Sequence, residues 1–112
     1  MVVAAKSKRS RSDRPPFQVG DYVMVRTYSA GVFAGELVSR EGKEVHLKNA
    51  RRIWRWAGAA SLSELAQRGT SKPDECKFPS PVDNVLLTEA IEILAVTDVA
   101  RASIEGVTSW TE

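Results

Sequence analysis

Apolar and polar positions alternate along much of the chain. From Tyr22 to Thr27 side chains repeat at a period of two, Val23 and Val25 sharing one face and Tyr22, Met24 and Arg26 the other. That period is the period of a β-strand. Val19-Gly20-Asp21 reads as the turn that enters the strand, and Tyr28-Ser29-Ala30-Gly31 as the tight connection that leaves it. A second strand is predicted over about Val32 to Arg40. Glu41-Gly42 then makes a hairpin turn, with the glycine supplying the positive φ such turns require. A third strand, Lys43 to Lys48, points Val45 and Leu47 inward and Glu44, His46 and Lys48 outward. Asn49-Ala50 is expected to turn the chain into a fourth strand, Arg51 to Trp56.

The pattern then changes. Ser61-Leu62-Ser63-Glu64 has the form of a capping box, with Ser61 as N-cap and Glu64 reaching back. Leu62, Leu65 and Ala66 form the apolar side of this short helix, and Gly69 stands where a C-terminal glycine cap belongs. Residues 70–84 carry Pro73, Pro79 and Pro81 without a period, which predicts a long loop. Val85 to Val96 reads as a β-rich segment, one bent strand or two. Thr97 or Asp98 caps a last short helix, about Val99 to Ile104, ending at Gly106. The fold class expected is mainly β (α+β): a small curled antiparallel sheet or barrel with two short accessory helices.

At 112 residues the chain has the length of one domain. Residues 1–16 are rich in Lys, Arg and Ser and end in Pro15-Pro16, so they read as a disordered basic arm. Residues 17–112 read as a single β-rich binding domain. The net charge of +2 divides unevenly: residues 1–14 hold five cations against Asp13, leaving the rest of the chain with a small net negative charge. A body of that sign is not a duplex-DNA binder by global charge; residues 1–16 read as a solubilising leader, with an arm that touches nucleic acid or docks on a scaffold as the alternative. One cysteine, Cys76, excludes an intrachain disulfide and fits a reducing compartment. No apolar run reaches the ~20 residues of a membrane helix. The chain is therefore expected to be cytoplasmic and to make no membrane contact.

Catalytic chemistry finds little support. The single histidine, His46, falls on an outward strand position, and His46 and Cys76 are far too few for a metal site. No nucleophile elbow or phosphate-binding loop is present. The expectation is a protein without enzymatic activity and without a cofactor.

Three segments carry binding chemistry instead. In Arg26-Thr27-Tyr28-Ser29-Ala30-Gly31-Val32 an arginine at a strand end leads into small residues whose amides can approach phosphate oxygens. A tight hairpin with a surface arginine and a core tyrosine explains the same string. Arg51-Arg52-Ile53-Trp54-Arg55-Trp56 packs three guanidinium groups and two indoles into six residues. Guanidinium pairs with phosphate, and indole stacks on bases. Here the competing explanation is tryptophans in the core and arginines as exposed spacers. Glu89 and Glu92 interrupt the apolar run from Val85 to Val96; Glu92 reads as an outward strand residue, and Thr88 and Glu89 offer hydrogen bonds to a ribose or base edge.

The strings RTYSAGV, ARRIW, GAASL and LTEAIEI, spread over about Val25 to Val96, resemble those of a family of short phage proteins. That family is in turn similar to the phage Thoeris anti-defence sponges of the first type. The resemblance implies a protein that binds and sequesters a cyclic nucleotide-type immune messenger, such as a cyclic ADP-ribose isomer or a cyclic oligonucleotide, without degrading it. It also implies a homo-oligomer, dimer or hexamer, with pockets at subunit interfaces, acting in the host cytoplasm. The site residues that carry over are Arg26 to Val32, Arg51, Arg52, Trp54, Thr88 and Glu89. The alternative function is a phage structural or nucleic-acid-associated small β-barrel protein.

Overall fold

The strand Tyr22–Thr27 (β1) is apolar on both of its faces, and Tyr22, Val23, Met24 and Val25 are all buried. A strand of that kind must sit between two layers. In the computed structural model, which describes residues 15–111, one layer is a pair of helices and the other is the far wall of the same curled sheet. The basic arm expected over residues 1–16 lies outside the described residues, apart from the exposed Pro15 and Pro16.

The elements follow in the order β1, β2 (Val32–Glu41), β3 (Glu44–Arg52), α1 (Leu62–Arg68), a single 3-10 turn at Pro73–Glu75, β4 (Val82–Leu87), β5 (Ala90–Ala95) and α2 (Asp98–Gly106). The five strands form one antiparallel sheet in the order β4-β3-β2-β1-β5. The apolar run from Val85 onward thus becomes two strands on opposite edges of the sheet. Only Thr88 and Glu89 join them, so the sheet has to curl until its edges come within a short crossing of each other. The edges do not pair with each other, and the curl is not a closed barrel.

Two irregularities between β2 and β3 produce the bend. Ala34 pairs with Arg51 and Glu36 with Lys48, so Asn49 and Ala50 together oppose the single residue Gly35. This is a β-bulge, which kinks a strand and raises its twist. Asn49 takes the left-handed conformation, φ 49°, and its amide donates to Glu36 Oε2 at 3.0 Å. A Cβ on Gly35 would stand 2.9 Å from the Lys48 carbonyl oxygen and 3.0 Å from Ala50 Cα, so glycine is required there. A second shift falls between Leu37 and Ser39. The turn expected at Asn49-Ala50 is therefore a bulge inside one long strand, and the separate strand expected over Arg51 to Trp56 does not form. Beyond Arg52 the chain leaves the sheet and makes only the isolated bridge between Arg55 and Lys77.

Inside the curl lie Val23, Val25, Phe33, Leu37, Val45, Leu47, Ala50 and Leu87. On the other face Tyr22, Met24, Ala34 and Ile53 meet Leu65 and Ala66 of α1, Ile104 of α2, and Phe78. The Ser61 hydroxyl accepts from Glu64 N at 3.2 Å, and Glu64 Oε1 accepts from Ala60 N at 2.6 Å. Thr97, rather than Asp98, caps α2, accepting from Ala100 N. The same Thr97 hydroxyl donates to Gln67 O at 2.7 Å and so ties the two helices together. No helix among the described residues is long and apolar enough to cross a membrane.

Candidate functional site

The curl brings together segments that are far apart in sequence. β1 ends at Thr27, whose hydroxyl donates to Gly31 O at 2.7 Å and accepts from Ala30 N at 2.9 Å. These bonds, with Thr27 N donating to Gly31 O, fix a compact turn over residues 28–31 in which Gly31 has φ 93°. Thr27 is buried because it holds the turn from below, while Tyr28, Ser29, Ala30 and Gly31 are exposed.

Glu89, in the crossing between β4 and β5, sits against this turn. Its carbonyl accepts from Tyr28 N at 2.9 Å and its carboxylate accepts from the Ser29 hydroxyl at 2.9 Å. Arg52, from the end of β3, reaches the same turn: Nη1 donates to Ala30 O, and the guanidinium lies 4.3 Å from the centre of the Phe33 ring. Arg26 pairs with Glu92 at 3.0 Å on β5. Thr88 is exposed in the crossing beside Glu89, and Val32 is half-buried at the start of β2. Ser29, Ala30, Arg52 and Glu89 thus meet at the turn, with Tyr28, Gly31 and Thr88 exposed beside them and Thr27 buried beneath, whereas Arg26 lies on the strand face of Tyr22 and Met24 and pairs with Glu92 apart from them.

Arg51 does not join them. Neighbouring residues on a strand face opposite ways, and Arg51 points to the helix side, where it is 4 % exposed. Its Nε donates to Pro79 O at 3.0 Å, its Nη1 to Ile104 O at 2.8 Å, and its Nη2 to Phe78 O at 3.2 Å and the Ser109 hydroxyl at 3.3 Å. Burial pushes its pKa below the ordinary arginine value. Each of its three nitrogens donates within the fold. Tyr22, in the same core, has its phenol pushed up to about 12, chiefly by burial and then by the Glu105 carboxylate.

The two tryptophans also separate. Trp54 is 63 % exposed, and Trp56 is half-buried against the helix-side core. Past Arg52 the chain is no longer in the sheet, so strand alternation does not govern where these rings go. Tyr28, at 78 % exposure, is a surface ring and not part of the core. Tyr28 and Trp54 are therefore exposed rings, and Arg52, at the turn, has no carboxylate partner among the described residues.

A cavity of about 550 Å³ adjoins the cluster. The β2–β3 hairpin supplies Arg40, Gly42 and Lys43 on one side, and Ala90 to Ile93 of β5 line the other, with Phe17 at the rim. Glu92 belongs both to this wall and to the Arg26 pair. Its volume is that of a small-molecule site, a few hundred Å³ and upward. Arg40 and Lys43 carry no signal in the sequence beyond that of an ordinary charged hairpin; they face β5 only because the sheet curls. Among the described residues no group of three or more His, Cys, Asp and Glu is arranged to hold a metal ion. His46 bonds to Asn84 Oδ1 at 2.9 Å across β3 and β4.

The chain belongs to the family DUF6948, a domain of unknown function, whose model matches residues 20–104. That span contains every residue of the cluster and of the adjoining cavity except Phe17. No curated protein and no solved structure matches the chain.

Proposed function

We propose that the protein is a non-catalytic binding module that takes a phosphate-bearing, nucleotide-type ligand at the turn formed by residues 28–31. The reading is carried by one observation: Tyr28 and Arg52, distant in sequence, share that turn with the ring exposed and the guanidinium unpaired by any carboxylate among the described residues. A guanidinium supplies bidentate contacts to phosphate, and an exposed phenol or indole supplies a stacking face for a base. Glu89 beside Ser29 suits a sugar hydroxyl, which donates, and repels phosphate, which does not. On this reading the phosphates lie toward Arg52, Arg40 and Lys43 and the sugar toward Glu89.

The resemblance to the phage sponges supplies the finer reading, a cyclic nucleotide-type immune messenger such as a cyclic ADP-ribose isomer, held without turnover. Such a protein acts by mass action. It must outnumber the messenger and bind it more tightly than the effector does.

Incubation of the protein with a cyclic ADP-ribose isomer, followed by filtration and then heating of the retained fraction, tests both levels. The free ligand should fall in proportion to protein and return chemically unchanged on heating. A free pool undiminished at excess protein rules out that messenger, and a ligand returned as a different species rules out a non-catalytic role. If this messenger is not retained but a cyclic dinucleotide is, the binding role stands and the identity of the messenger changes. Arg52→Ala should lose roughly 2–5 kcal/mol of affinity for whichever ligand is retained, the range for truncating one side of a desolvated charge contact.

A further inference from the structure

Phe17 has φ 65°, in the left-handed region that a bulky side chain rarely takes. The peptide groups on both sides of it are held. The Pro16 carbonyl accepts from Gln18 Nε2 at 3.1 Å, and Gln18 N donates to Asp21 Oδ2 at 2.9 Å. The turn that follows is closed by Asp21 N donating to Gln18 O, and is tied to β2 by Gly20 N donating to Leu37 O and Leu37 N to Asp21 O. A conformation of this kind persists only where its surroundings over-determine it. Glycine would take the same backbone without strain. Burial does not account for the phenylalanine either, because it is 44 % exposed and belongs to neither core cluster of the described residues. Its ring is instead placed to line the 550 Å³ cavity.

We propose that Phe17 is the stacking face of this cavity: the flat aromatic base of a ligand lies against it, while the phosphate end of the same ligand lies toward the 28–31 turn. The phosphate end rests on the nucleotide reading above; the ring end rests on Phe17 and the cavity. The register of β1 with β5 sets Val23 against Ala95 and Thr27 against Ala90. The segment before Tyr22 and the turn after Thr27 therefore lie at opposite ends of the wall that β5 gives the cavity. That wall runs from Ala90 to Ile93, about 10 Å along a strand. Lys43 is fixed at the turn's end, where its carbonyl accepts from Ala90 N at 3.0 Å, and Arg40 folds over the same hairpin to donate to Gly42 O at 2.9 Å. Leu37, tied to the turn that follows Phe17, and Ile93 give the other end apolar surface. Charge thus gathers at one end and apolar surface at the other, which is the polarity of a nucleotide. Aromatic side chains stack on bases of every kind, since each base has a π-face. A base seated inside the cavity meets Phe17, whereas Tyr28 does not line it.

Equilibrium dialysis of the full chain against adenosine monophosphate, and against ribose 5-phosphate, which carries the phosphate without the base, tests this. The wild type should hold adenosine monophosphate at least about fivefold more tightly, the low end of what one base–aromatic stack contributes. Phe17→Ala and Phe17→Gly should both abolish that preference and leave ribose 5-phosphate binding unchanged, and Phe17→Trp should keep it. Stability should follow the backbone instead. In urea Phe17→Gly should unfold at a higher midpoint than Phe17→Ala, because both lack the ring and only glycine suits φ 65°. A Phe17→Ala that keeps the preference overturns the proposal and leaves the nucleotide reading standing, and so does a wild type that binds the two compounds alike. A wild type that binds neither at millimolar concentration overturns both. A Phe17→Ala at least as stable as Phe17→Gly shows that the backbone is not strained, and overturns the proposal as well. If Phe17→Ala unfolds, the affinities of Phe17→Gly decide.

Discussion

Arg51 and Arg52 adjoin in sequence and do opposite work. Arg51→Ala removes the four hydrogen bonds that tie the end of β3 to Phe78, Pro79, Ile104 and Ser109. The Ile104 and Phe78 carbonyls keep Val107 N and Trp110 N as donors, so the loss is that of the bonds from a charged donor, about 1.5–3 kcal/mol each. A loss of roughly 3 kcal/mol or more in urea unfolding is expected, and Arg51→Lys should recover only part of it because an ammonium lacks the planar fork. Arg52→Ala should cost about 1 kcal/mol or less, the scale of an exposed contact between a cation and a ring, and should act on ligand capture instead. An Arg52→Ala that unfolds as readily as Arg51→Ala would show that the turn is held by this side chain. Strand parity made it legible that the two face opposite ways. It could not tell which side was covered, because the helices that bury Arg51 come from residues 62–68 and 98–106. Tyr22 gives a pH signature. Its phenol titrates near 12 when folded and near 10 when unfolded, so the unfolded chain loses its proton first as pH rises. The contribution is fully present below pH 10 and is lost between about 10 and 12, amounting to roughly 2–3 kcal/mol. Tyr22→Phe should unfold with a shallower decline over that interval than the wild type. Parallel declines would mean that the phenol ionises without opening the core.

The strands β1, β2 and the first half of β3 were plain in the sequence, because each is a short run rich in β-branched and apolar residues bounded by turn residues. The capping box at Ser61 was equally plain, since a cap depends only on the few residues beside it, and Thr97 was one of two candidates for the second cap. The error at Asn49 has a local cause. Asparagine takes positive φ both in turns and in bulges, and only the partner strand distinguishes them. Gly35 is that partner, and a glycine inside a strand pattern was the available sign that a backbone approaches closely. Gly35→Ala is expected to lose about 1–3 kcal/mol in urea unfolding, the range for overpacking a tight site, because the atoms it meets are backbone and cannot swing away. It should also lower affinity at the 28–31 turn, since the bulge sets the curl that brings Glu89 to Ser29. Loss of stability with wild-type affinity would separate the bulge from the site. The run after Val85 stood as one bent strand or two, and its placement as β4 and β5 on opposite edges was not legible, because neither strand's edge position is written in its own residues.

The folded body and the basic leader make separable claims on function. All the contacts that build the candidate site come from residues 26–92, and the family match begins at residue 20. The cation surplus belongs to residues 1–14, outside the described residues. Deleting residues 1–14 is therefore expected to leave the unfolding midpoint in urea nearly unchanged and the affinity for a captured nucleotide within a few-fold. The same deletion should weaken any association with DNA or RNA and flatten its dependence on salt, because each phosphate neutralised by a cation contributes about 0.7–0.9 to the slope of log affinity against log salt. The comparison is best made with one short single-stranded oligonucleotide and one cyclic nucleotide, each titrated at two salt concentrations against the full chain and the shortened one. A shortened chain that keeps the nucleotide and loses the oligonucleotide assigns the turn and the leader to different ligands. A shortened chain that remains folded but loses the nucleotide moves the working part of the site into the leader, and the reading of residues 28–31 as the binding turn fails.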